Sequence, residues 1–257
     1  MKNIKHNIDL IVHKSIADIR AEASRAYLGF LWWFLEPVMY MMVFYLVFQS
    51  GLRSGGEGFI PFLLSGLVVW KWFVSAVQGG SAALARNAVV IQHIYLPKYI
   101  FPCVVILSNT YKFIVILPIF LFFLIVAFHA QPGIAWLLIP LMILVQLLFI
   151  MAVTILVAAI IPFAQDLRML LDNIIVMLFF MSGIFYDITT MSGVTRDLLM
   201  LNPMAIIITD YRLILLHGEM PQWQGLLYVI LLSLILLALA LFVINKFDRI
   251  YPKIINR

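Results

Sequence analysis

The chain has 257 residues, is 65% hydrophobic and 11% charged, and has a mean hydropathy of +1.09. A soluble domain is about a quarter charged, so these figures exclude a soluble enzyme or a nucleic-acid-binding module and define an integral membrane protein. The net charge of +5 then has to be explained by where the basic residues fall.

Residues 8–25 read as an amphipathic helix. Ile8, Ile11, Val12, Ile16, Ile19 and Ala23 form one apolar stripe, and His13, Lys14, Asp18, Arg20 and Glu22 fill the remainder. Such a helix lies along a membrane surface. Residues 1–9 are polar, with no short apolar core and cleavage site behind them, so the first span is expected to direct its own insertion. At 25–37 the chain turns from the interface into the bilayer, and Tyr27, Trp32 and Trp33 suit headgroup depth. An ordinary aromatic belt explains those rings equally well.

Six spans of about 20 apolar residues follow, at 30–50, 59–82, 101–128, 134–162, 170–187 and 224–245. The apolar runs are far longer than the roughly 10 residues of a barrel strand, and lipid offers backbone groups no partner. The expected fold is therefore all-α, in a single transmembrane domain. The 188–223 stretch contains a further apolar piece, 198–216, interrupted by Asn202 and Pro203, where the ring removes a donor and disfavours helix just before it. Asp210 and Arg212 within it are costly in lipid. It is expected to dip in from the outer face and return.

Basic residues set the orientation. With the N-terminus inside, the inner segments hold Lys2, Lys5, Lys14, Arg20, Arg25, Arg86, Lys98, Arg168, Lys246, Arg249, Lys253 and Arg257. The outer segments hold Arg53, Arg196 and Arg212, while Lys71 and Lys112 fall inside spans. Both termini are thus expected to face the cytoplasm, which a seventh crossing at 198–216 would prevent.

Chemistry-bearing motifs are sparse. The sequence has no phosphate-binding Gly-x-x-x-x-Gly-Lys-Ser/Thr loop, no nucleophile elbow and five scattered histidines without metal-ligand spacing. The single cysteine, Cys103, allows no disulfide within the chain. Four ionisable groups fall in or near spans: Glu36, Lys71, Lys112 and Asp172. Such groups tend to face the bundle interior, although Lys112 can also snorkel, and Glu36 and Asp172 lie near an edge where water reaches. Lys71, flanked by Trp70 and Trp72, is the hardest to explain as packing alone; a pairing of Lys71 or Lys112 with Glu36 is one resolution. Trp33, Tyr40, Phe44 and Phe48 follow helical spacing. They are either lipid and packing contacts or an aromatic wall along which sugar rings slide. The inner loop at 84–97 carries Arg86, Gln92, His93 and Tyr95, with Lys98 just beyond. It is either an ordinary interfacial turn or a short amphipathic element that docks in a partner's groove.

These stretches together resemble a known family. The run Arg25, Tyr27, Leu28, Gly29, Leu31, Trp32, Glu36, Pro37 is similar to the start of the first span in membrane subunits of type-2 ABC exporters, above all those of O-antigen, capsule or teichoic acid. Pro61 to Leu67 with Trp70, Trp72 and Phe73 resembles their second span, and Phe163 with Asp166 and Leu167 their inner loop before span five. Ser182 to Tyr186, Leu201 to Met204, and Tyr211 with Arg212 are similar to their outer re-entrant region.

The resemblance implies a homodimeric permease in the bacterial inner membrane with two copies of a separate ABC ATPase. ATP and Mg would be bound on that partner, with no cofactor or metal on this chain. The N-terminal helix (Arg20, Arg25), the 84–97 loop and Asp166 would contact the ATPase. Tyr186, Asn202, Pro203 and Arg212 would belong to the outer region, and the substrate would be an undecaprenyl-linked polysaccharide handled among membrane lipids. Neighbouring readings are a type-2 exporter of a small lipid or drug, a lipid- or polysaccharide-modifying enzyme, and a proton-coupled flippase. The enzyme needs clustered acids and bases, and the flippase needs mid-membrane carboxylates; neither pattern is present.

Overall fold

A computed structural model of the chain describes residues 2–25, scattered positions between 29 and 46, and 58–254. The expected first span at 30–50 therefore lies largely outside the described residues. Everything described is helix, turn or irregular loop.

Helix α1, Lys2–Arg25, leads. It lies on the long helix Ile100–Phe128, where Ser15 is fully buried and its carbonyl accepts from the Ser108 hydroxyl. Ile11, Val12, Ile16 and Ile19 are half-buried, whereas Ile8 is 55% exposed. The stripe thus seats on protein at its centre and is bare near its start.

Helix α2, Phe59–Ser81, is the hub. It is followed by two short turns of helix, α3 (Ala83–Arg86) and α4 (Ala88–His93), then by α5, Ile100–Phe128. A 3-10 turn, Ile134–Leu138, leads into α6, Ile139–Ile160. These three long elements, with α10 (Trp223–Lys246) still to come, are the described helices long and apolar enough to cross a membrane. In their most apolar stretches, α2 is 72% buried and α5 and α10 only 22%. The hub is enclosed by protein, and the outer two leave most of their sides uncovered by the rest of the chain.

Lipid is as apolar as leucine, so helices join through close fit rather than through water exclusion. Small residues on α2 permit that fit. Gly80 meets Thr154 of α6, Gly79 meets Val105 of α5, and Gly66 lies under the Arg212 guanidinium. Trp72 stacks on Phe113 with centroids 4.2 Å apart, and Phe73 on Phe149 at 5.5 Å. Gln146 of α6, fully buried, donates to the Val69 carbonyl at 2.9 Å, tying the same two helices.

The remaining helices are α7 (Asp166–Met181), α8 (Val194–Met200), α9 (Pro203–Arg212) and α11 (Tyr251–Ile254). The sequence places span five at 170–187, but α7 starts four residues earlier and stops at Met181. Gly183, at φ +67°, then folds the chain into a turn where a side chain would meet Ile188. Together, α8 and the helical stretch beginning at Pro203 and running through the π-helical turn to His217 form a pair bent by 94°, the geometry of a broken span or a re-entrant loop.

Candidate functional sites at the two ends of the bundle

A polar cavity of about 720 Å³ opens at the end of the bundle that carries α1. Its charged walls are Asp18 and Glu22 from α1, Lys71 from α2, Arg86 from α3, Lys112 from α5, and Arg168 and Asp172 from α7. Ionisable side chains on apolar helices gather where water or a polar ligand can reach them. The Lys112 ammonium lies 2.7 Å from a Glu22 carboxylate oxygen, and the Asp172 carboxylate accepts from Gln78 at 3.1 Å. Lys112 thus finds its acid on α1. Glu36, the acid the sequence suggests for it, lies outside the described residues. Lys71 opens onto the cavity beside Trp32 and Trp72.

The residues expected to face an ATPase occupy the same end. Arg20, Arg86, Gln92, His93, Tyr95 and Asp166 are all exposed, and Asp166 begins α7. For Arg25 only the helical backbone is described. Short α4 presents Val89 (69% exposed), and Ile94 and Tyr95 follow, also exposed. Apolar side chains are thus exposed beside the polar Arg86, Gln92 and His93.

Lys98 departs from expectation as a surface contact. It is only 2% exposed, donates to the Leu96 carbonyl at 2.8 Å, and lies 3.9 Å from the Asp248 carboxylate. Beside it, the Asp248 carboxylate holds the Tyr95 phenol above its ordinary pKa. Neither Asp248 nor its role is visible in the sequence, because the contact joins positions 150 residues apart.

At the opposite end the outer-region residues converge. Asn202 caps α9 by accepting from the Met204 amide at 3.0 Å, and its amide nitrogen donates to the Ser182 hydroxyl at 2.8 Å. Pro203 stands at the first position of α9, where its missing N–H costs nothing. The Tyr186 hydroxyl donates to the Phe180 carbonyl at 2.8 Å. Arg212, 5% exposed, donates to three carbonyls: Phe62 (3.2 Å), Gly183 (2.7 Å) and Ile184 (2.9 Å). Its guanidinium also lies 3.4 Å from the centre of the Phe62 ring. A guanidinium has five N–H donors in a rigid fork, so one side chain ties the α9 segment to α2 and to the turn after α7. The Asp210 carboxylate accepts from the Gln222 backbone N–H at 2.9 Å. Neither charge faces lipid.

Trp33, Tyr40, Phe44 and Phe48 lie outside the described residues, so the structure says nothing of an aromatic wall. Among the described residues no group of three or more His, Cys, Asp or Glu side chains is arranged to hold a metal ion. Sequence reasoning missed Glu22 as the partner of Lys112 and Gln78 as the partner of Asp172; their helical registers were the available signal.

A bundle of membrane-length apolar helices with charged groups gathered round a cavity at one end defines a multi-pass membrane protein. Residues 17–216 match the ABC-2 type transporter family, and the chain belongs to that family. It is 31% identical over 222 residues to the O-antigen export system permease protein RfbA of Myxococcus xanthus, covering 86% of this chain and 85% of that one. It is 24% identical over 255 residues to the protein of the same name from Klebsiella pneumoniae, covering 98% and 97%. The resemblance drawn from the motifs is therefore borne out at family level, and the chain is a transport permease.

Proposed function

We propose that this chain is the membrane subunit of an ATP-driven exporter that carries a lipid-linked, O-antigen-type polysaccharide across the bacterial inner membrane. It works as a homodimer with two copies of a separate ABC ATPase, which binds ATP and Mg. The observation that carries this reading is the near full-length likeness to O-antigen export permeases. The charged cavity beneath α1 supports it, since a headgroup bearing phosphate and sugar needs both cations and hydrogen-bonding groups at the leaflet where it loads.

The topology proposed is six spans with both termini inside. Asn7 of α1 donates to the Tyr99 hydroxyl, and Lys98 meets Asp248, so the two ends of the chain share one end of the bundle. Span five is α7 with the turn after it, and the bent α8–α9 pair re-enters from the outer face. The backbone bonds of Arg212 support that reading, because irregular chain at membrane depth has to be satisfied by protein. Short α4 and α1 meet the ATPase, and its stroke opens a path between protomers past Trp33, Tyr40, Phe44, Phe48 and Lys71.

The test is reconstitution in proteoliposomes with and without the partner ABC ATPase. Transfer of a fluorescent undecaprenyl-diphosphate-linked oligosaccharide is expected only with both proteins and hydrolysable ATP. Transfer by the permease alone would overturn the proposal. Transfer of short-chain phospholipid but not of the oligosaccharide would point to the small-lipid reading instead.

A further inference from the structure

The last described segment, 247–254, enters the reading above only as a marker of topology, yet it is bonded at both ends. Its Asp248 carboxylate accepts from the Lys98 backbone N–H at 3.4 Å and faces the buried Lys98 ammonium at 3.9 Å. That ammonium lies 5.1 Å from the centre of the Tyr95 ring. Three residues on, the Tyr251 hydroxyl, fully buried, donates to the Ala159 carbonyl in the last turn of α6 at 2.8 Å. Phe163 then wedges against both Phe247 and Tyr251, with centroids 5.1 and 5.5 Å away. The α11 turn also packs on α4. The segment therefore bridges the loop at 94–99, which follows α4, to the chain leading from α6 into α7.

We propose that segment 247–254 is a clasp that couples α4 to the bundle, with Asp248 as its positioning residue. Holding Lys98 fixes the angle at which α4 leaves the bundle. Tyr251 and Phe163 pass any displacement of α4 to the α6–α7 junction, at whose far side α7 lines the charged cavity. Without the clasp, α4 still docks on a partner, but its movement is spent in the loop. This inference rests on the proposed function for the partner that pushes α4; the clasp itself is a property of this chain alone.

Two measurements test it on the full-length protein. In detergent, trypsin cleavage after Lys98 reads opening of the clasp, because that side chain is buried when the clasp is closed. Asp248→Asn is expected to speed this cleavage about tenfold, the factor for losing one charge-assisted bond in a local opening equilibrium. Asp248→Glu is expected to restore most of the protection. In proteoliposomes with the ATPase, Asp248→Asn is expected to leave complex yield and ATP hydrolysis within about twofold while cutting oligosaccharide transferred per ATP by more than about twofold.

Unchanged cleavage in both Asp248→Asn and the milder Tyr251→Phe overturns the clasp. Faster cleavage with transfer per ATP unchanged reduces Asp248 to a structural contact and overturns its positioning role. Should the unaltered chain recruit no ATPase, the proposed function fails, and the cleavage comparison still decides whether the clasp exists.

Discussion

Arg212 shows how a charge is kept inside an apolar bundle. Its three carbonyl partners come from two separate places in the chain, the start of α2 and the turn after α7. Arg212→Met is expected to leave those carbonyls unsatisfied and to cost about 3 kcal/mol, in the range for breaking a buried charged contact. Arg212→Lys recovers only part, since an ammonium lacks the fork that reaches three acceptors. Thermal unfolding in detergent checks both, and a wild-type midpoint for Arg212→Met would rule out the tie.

The Lys112–Glu22 pair is a contrasting case. Glu22 is 53% exposed, so a double-mutant cycle with Lys112→Met and Glu22→Gln is expected to give a coupling of only about 0.5 kcal/mol, as for open ion pairs. A much larger coupling would mean that the pair is shut away from water in the membrane-embedded protein. Sequence reading treated Arg212 and Lys112 alike, as charges in costly places. What separates them is the partner, and neither partner is close in sequence.

At the scale of elements, long apolar runs were legible because length and composition alone decide them. The spans expected at 59–82, 101–128 and 224–245 match α2, α5 and α10 to within a residue or so. The end of α7 was not legible. Gly183 is a stop signal within 170–187, but one glycine does not by itself end an apolar run; the turn also depends on the grip of Arg212 from 29 residues away. The buried Lys98 was hidden for the same reason, its carboxylate lying on the tail.

Helix contact gives its own prediction. A side chain at Gly80 would collide with the Thr154 methyl across the α2–α6 interface. Gly80→Ala is expected to destabilise by about 2 kcal/mol, typical of overpacking, and Thr154→Ser, which removes that methyl, to relieve most of it. Unfolding midpoints of the two single variants and the double variant decide this. Strict additivity would show that the helices simply shift apart.

For the whole molecule, the proposed topology sets which side each end faces. Single cysteines replacing Lys5 and Ile250, in a background with Cys103 replaced by Ala, are expected to react with a membrane-impermeant maleimide only in inverted vesicles. A cysteine replacing Val194 of α8, 74% exposed, is expected to react only in right-side-out cells. Labelling of the two ends from opposite sides would remove the six-span scheme and, with it, the shared docking face.

The enclosure of α2 has a mechanical consequence. A helix joined to its neighbours through glycine contacts and stacked rings has no slack in which to slide, whereas α5 and α10 border a fluid that yields at little cost. Under the proposed function, a stroke delivered at the α4 end would swing the outer helices about α2, which would serve as the fulcrum and stay still while the periphery tilts.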